Sequence, residues 1–161
     1  MNIFVLSRDP IEAARMLCDK HVPKMLLETA QLLCGPFPPG AAPYKRTHFN
    51  HPCAKWVRED LENYCWLLAH GESLAEEFAF RFGKEHRSRR VVCWCEEHMN
   101  GLDVSLDAVR CSTTPFAQAM PDEYKHHNPV FAYRRYYVAE KGRFAKWERG
   151  RPPPRWWPKN I

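Results

Sequence analysis

His21, Lys24 and Glu28 are an imidazole, an amine and a carboxylate spaced at i, i+3 and i+7. On a helix that spacing puts all three on one strip. Such a set can pass a proton, and a neutral lysine amine can attack an electrophilic carbon and form an imine. Burial and neighbouring charge tune each group. The same spacing also fits a solvated Lys–Glu pair with little chemical consequence. The strip lies in the stretch from Asp19 to Leu33, where Met25, Leu26, Thr29, Leu32 and Leu33 recur as an apolar helix face. A second polar stripe follows, His51, Lys55, Arg58 and Glu62, at spacings of four, three and four. With His48 just before it, this stripe is rich in groups that bind phosphate or relay protons.

Both stripes need helices to carry them, and the cap signals predict where these lie. Met1 to Ser7 is apolar and reads as an extended segment or short strand laid on the core. Asp9-Pro10 opens a helix bearing Ile11, Ala14, Leu17 and Cys18. Pro23 predicts a kink between Asp19 and His21, and Gly35-Pro36 ends the second helix. Residues 35–44 are an extended loop rich in proline. Asn50-His51-Pro52 predicts a helix running to about His70, with Val57, Leu61, Tyr64 and Leu68 as its seam and Gly71 as its stop. Ser73 to Glu76 reads as a capping box opening a short helix that ends at Gly83. Lys84 to Arg90, including Arg87, is a basic connector. Val91 to Met99 reads as helical, Leu102 to Ser112 has weak helical periodicity, and residues 113–124 form a loop. Asn128-Pro129 caps a last helix running to about Trp147. The stiff tail Arg151 to Pro158 is expected to lie back on the body. The fold class expected is all-α: one domain over residues 1–161, of five or six helices, with a short extended N-terminus and an ordered Pro/Trp-rich tail.

The 161 residues suffice for one packed core. Net charge is +5, and the segment from Asp122 to Lys159 carries ten Lys/Arg against four Asp/Glu. A basic region interleaved with rings suits a polyanion, nucleic acid first. Arg134, Arg135 and Lys146 are candidates for phosphate contact there, as are Arg87, His48, Lys55 and Arg58 elsewhere. Trp147 and its neighbouring rings are candidates to stack on an extruded base. Arg8-Asp9-Pro10 interrupts the apolar start too early for a secretory core, and no run approaches a membrane span. Seven scattered cysteines read as reduced thiols, and the location expected is the cytoplasm. Cys93, Cys95 and His98 lack the spacing and second ligand pair of a zinc site, so no metal is expected. No phosphate-binding glycine loop, nucleophile elbow or dinucleotide fingerprint is present, and no cofactor is expected.

Lys20-His21-Val22-Pro23-Lys24 resembles the Arg-Glu-Leu-Pro-Arg stretch of the pyrimidine-dimer DNA glycosylases of the T-even phage type. Asn50-His51-Pro52, with Trp56 and Glu59, resembles the next helix of that family, and the basic aromatic C-terminus is also similar. A wider branch of phage and bacterial proteins shares a pattern of one acidic, two basic and one further acidic residue, here Asp19 through Glu28, followed by Asn50-His51-Pro52 and Trp56. The resemblance covers residues 1–85 and, more loosely, 113–158. It implies a compact all-α fold and a DNA partner, double-stranded with one base extruded. The chemistry implied is attack of the N-terminal amine on C1′, assisted by a glutamate, with β-elimination from the imine. His21 occupies the position of the family glutamate, and Asn2 that of the small residue bearing the amine. The carboxylate would then be Glu28, and the nucleophile Met1, Lys20 or Lys24, assisted by His21, His48 or His51. Three other functions fit the same residues: a transferase that hypermodifies bases of phage DNA, a non-catalytic DNA-binding protein, and an enzyme acting on a free nucleotide.

Overall fold

The structure, a computed structural model, describes residues 1–103 and 112–159. It is all-helical, with six α-helices and no strand among the described residues. They are α1 (Pro10–Met16), α2 (His21–Cys34), α3 (Pro52–Glu59), α4 (Leu61–Phe82), α5 (Arg89–Glu97) and α6 (Pro129–Lys141). Among the described residues, no helix is long and apolar enough to cross a membrane. Central to the packing is α4, which lies against α1, α2, α3 and α5.

The caps follow the sequence signals closely. Asp9 accepts from the Glu12 N–H at 2.8 Å, Asn128 accepts from Val130 and Phe131, and Pro10, Pro52 and Pro129 sit in first turns where their missing donor costs nothing. At α3 the cap is His51, whose Nδ1 accepts from the Cys53 N–H at 3.2 Å. Asn2 to Leu6 is buried without pairing as a strand, and the expected extended segment is interrupted at Phe4, whose φ is +54°.

Several expected boundaries are corrected. The helix expected from His51 to His70 breaks at Asp60, whose extended backbone and side-chain bond to the Glu62 N–H start a new helix. That helix does not stop at Gly71, and Ser73 to Glu76 does not open another; α4 runs through both for 22 residues. Gly71 is there because α4 crosses its neighbours closely: a Cβ would lie 3.0 Å from Thr29 Cγ2 and 3.4 Å from Val92. The last helix ends at Lys141 rather than Trp147. Between Asp19 and His21 the expected kink is a full turn, and α2 starts only at His21. Most of the weakly periodic stretch 102–112 lies outside the described residues.

One buried cation ties distant segments together. Arg81 on α4 has no exposed side-chain surface. Its Nε–H donates to Glu77, its Nη1 to the Leu17 carbonyl and to Asp19 Oδ1, and its Nη2 to the Arg15 carbonyl and Glu77. That uses the full donor capacity of a guanidinium. Glu77 also accepts from Arg151 at 2.6 Å, and Asp19 accepts from the Glu148 N–H at 2.7 Å. Burial alone would raise the Glu77 pKa, but its bonds to Arg151 and Arg81 hold it below the ordinary carboxylate value. The C-terminal tail is thereby anchored on the body as expected. Its rings add to this: Trp147 Nε1 donates to the Met16 carbonyl, and Trp147 and Trp157 meet at 4.8 Å.

Replacing Arg81 by Met strands Asp19 and weakens the hold on Glu77. Urea unfolding of Arg81→Met is expected to show a loss of about 3–5 kcal/mol, the scale for breaking a buried ion pair.

Candidate active site

The N-terminal segment brings the chain's own amine to α2. Asn2 fixes it: Oδ1 accepts from the Ile3 and Phe4 N–H groups at 2.8 and 3.2 Å, and Nδ2 donates to the Ala119 carbonyl at 2.8 Å. Phe4 holds φ at +54°, a left-handed conformation that costs a bulky side chain of order 1–3 kcal/mol. Its ring is locked in compensation, stacked on His21 at 5.0 Å and Tyr136 at 6.1 Å and edge-on to Tyr133 and Tyr137. The Met1 side chain is 3% exposed.

Three nitrogen groups then meet one carboxylate. The Asn2 N–H donates to Glu28 Oε2 at 2.9 Å, Lys24 Nζ donates to Oε1 at 2.8 Å, and the Met1 α-amine lies 3.9 Å from Oε2. The Glu28 side chain is 14% exposed, against 56% for Lys24. The carboxylate is therefore shielded on one side and reached from solvent along the lysine. His51 also feels this cluster. Its pKa is lowered by burial first, then by the charges of the α-amine and His48, against a raising effect of Glu28. As its Nδ1 accepts the cap bond, the neutral ring carries its proton on Nε2. Below these groups, burial pushes the Cys53 thiol up to about 12, which leaves it inert as a nucleophile.

His21 does not join Lys24 and Glu28 on an open strip. Its ring turns into the core, 4% exposed, with Nδ1 hydrogen-bonded to Tyr137 Oη at 2.8 Å. Burial, followed by the charges of Lys24, Lys141 and Lys20, lowers its pKa to about 3. It is a neutral support for Phe4, held under a cationic surface. Lys20 lies 4.7 Å over Phe144, and Lys141 lies 5.0 Å over Tyr136.

The other predicted residues scatter. His48 is close enough to His51 to act on its charge, and Arg58 donates to the Phe49 carbonyl at 2.8 Å. Lys55 is exposed on α3. Arg87 lines a separate depression with Tyr44, His86 and Arg90. Arg134 Nε donates to the Leu6 carbonyl and its guanidinium lies over Trp156, so it supports the N-terminal segment as well as facing solvent. Arg135 lies over Phe131 at 5.8 Å. Lys146 pairs with Glu148, and Trp147 is spent on docking the tail. Cys93 is exposed, Cys95 is buried with its Sγ 3.8 Å from Cys34 Sγ, and His98 stacks on Trp94, so these three do not converge on a common point. Trp56 is core, packed on Trp66 and Phe116. Asn2 and Arg81 are the residues that spacing alone did not single out. Glu77 and Arg81, a charged i,i+4 pair beside the buried Leu74 and Phe78, were the available signal for the second.

No family model, curated protein or solved structure matches this chain.

His21 and the fully buried His70, lowered to about 4 by burial, make stability fall in acid. Above pH 6.5, the ordinary histidine value, both are neutral folded or unfolded. Below it the unfolded chain binds protons that the fold refuses, so stability decreases steadily as pH falls toward 4. Urea midpoints measured across this window are expected to drop with acidification, and His21→Phe is expected to flatten the slope.

Proposed function

We propose that this protein acts on DNA, recognises a damaged or modified pyrimidine and cleaves its N-glycosidic bond through an amine nucleophile. The observation that carries the reading is the convergence of the Met1 α-amine and the Lys24 amine on the shielded carboxylate of Glu28. It supplies a glutamate beside an N-terminal amine although His21 stands at the family's glutamate position.

In this mechanism the neutral amine attacks C1′ of the extruded nucleotide. The C1′–N bond breaks with its electron pair on the base, which leaves after taking up a proton. Glu28 accepts a proton from the attacking nitrogen and stabilises positive charge developing at C1′. O4′ then leaves C1′ with a proton, which forms the imine. Loss of a C2′ proton from the imine would expel the 3′ phosphate and break the strand. As a chemical class, α-amines lose their proton more readily than lysine side chains, which favours Met1 over Lys24 and Lys20. Lys20, Lys24 and Lys141 give the surroundings the positive charge that a phosphate backbone needs.

The test is incubation with DNA containing pyrimidine dimers or modified thymines in the presence of sodium borohydride. A trapped covalent complex is expected, and Glu28→Gln is expected to slow its formation about 10²–10⁴-fold, the range for a general acid–base group. Salt-sensitive binding with no adduct on any such DNA would overturn the mechanism. A product in which the base stays attached and gains a group would assign the site to base hypermodification.

A further inference from the structure

Several observations meet where the loop between α2 and α3 packs against Arg58 of α3. Phe49 is 41% exposed. Two guanidiniums lie against its ring, Arg58 with Cζ 3.5 Å from the centroid and Arg46 with Cζ 4.6 Å away. Arg46 donates to the Phe37 carbonyl and Arg58 to the Phe49 carbonyl, so both are held in place by backbone. Among the described residues, no carboxylate forms an ion pair with either. Burial first, and then the charge of Arg46, lower the Arg58 pKa. Arg46 Nε and Thr47 Oγ1 are buried without a hydrogen-bond partner. His48 holds φ at +49°, a strained conformation for a side chain of its size.

Each feature costs free energy in the isolated chain. Like charges repel, buried donors lack acceptors, and an apolar ring faces water. A phosphate beside the arginines would relieve the repulsion and accept from the guanidinium N–H groups that face solvent. A base would cover the ring or a guanidinium plane. The loop also lies on the rim of the amine cluster. The His51 N–H closes its turn on the His48 carbonyl at 2.8 Å, and the His51 ring feels the charges of the α-amine and Glu28.

We infer that residues 46–49 together with Arg58 form a binding site for an unpaired nucleotide of a DNA strand, with its base packing on the exposed side of the Phe49–arginine stack and Arg46 and Arg58 holding its phosphates. This rests on the nucleic-acid reading above and adds Arg46, Thr47 and Phe49 to it.

The test uses the full chain and a short single-stranded DNA carrying 2-aminopurine, with affinity measured by anisotropy at several salt concentrations. Binding by the wild type is expected to change 2-aminopurine fluorescence. Phe49→Ala and Phe49→Leu are expected to abolish that change and weaken binding roughly 5- to 100-fold, the range for loss of one base–aromatic stack, whereas Phe49→Trp retains both. Arg46→Gln and Arg58→Gln are each expected to flatten the slope of log affinity against log salt by about 0.7, the value for one phosphate contact on a single strand. Phe49→Leu keeps an apolar side chain, so an unchanged melting temperature shows that the fold is intact. Wild-type affinity and slope in the folded variants, or no binding by the wild type, would overturn the inference. Borohydride trapping reports separately. Variant effects without any trapped adduct leave this site standing and sink the glycosylase, while trapping without variant effects does the reverse.

Discussion

The guanidinium of Arg81 is the constraint on which the arrangement depends. A buried cation is tolerable only when every donor is used, because its desolvation cost is met by well-placed acceptors or not at all. The acceptors come from three places in the chain: Glu77 on its own helix, the Arg15 carbonyl in the last turn of α1, and the Leu17 carbonyl and Asp19 between α1 and α2. Asp19 in turn takes the Glu148 amide, and its own N–H donates to the Lys146 carbonyl at 2.9 Å. One side chain therefore sets where α2 begins, how α1 meets α4, and where the C-terminal segment crosses them. Since α2 carries Lys24 and Glu28, the position of the candidate catalytic carboxylate follows from a network that takes no part in the chemistry.

The amine reaches that carboxylate by a second route. Asn2 folds its side chain back on the next two amides and reaches across to Ala119, so that the first residues behave as a fixed peg. The strain at Phe4 is offset by four aromatic neighbours, one of them the neutral His21. His21 thus serves as a packing partner for Phe4. A protonated imidazole beneath Phe4 would face burial and the repulsion of three lysines, so the ring stays neutral and stacks there. Glu28 stands two turns further along α2, with the Met1 α-amine 3.9 Å from its Oε2.

Much of this was legible in the sequence, for reasons that differ by element. Cap residues act through bonds to their own neighbours, so Asp9-Pro10, His51-Pro52 and Asn128-Pro129 marked true helix starts. The apolar face of α2 and the Lys24–Glu28 pair are likewise local. What failed was a local rule overridden by packing. Gly71 looks like a stop but is a crossing point, and Ser73 to Glu76 has the letters of a capping box inside a continuous helix. His21 has the spacing of a site residue, but which way its ring turns depends on Phe4 and Tyr137, distant in sequence. No spacing rule could place Met1 beside Glu28, because that contact depends on Asn2 reaching Ala119. Nor could one show Arg46 and Arg58 sharing the ring of Phe49.

The central claim is that the chain's own amine and Glu28 form one reacting centre. The most direct measurement is peptide mapping by mass spectrometry of a borohydride-reduced DNA adduct. The sugar remnant is expected on the α-amine of the peptide from Met1 to Arg8. A remnant on Lys20 or Lys24, with the α-amine unmodified, would contradict it.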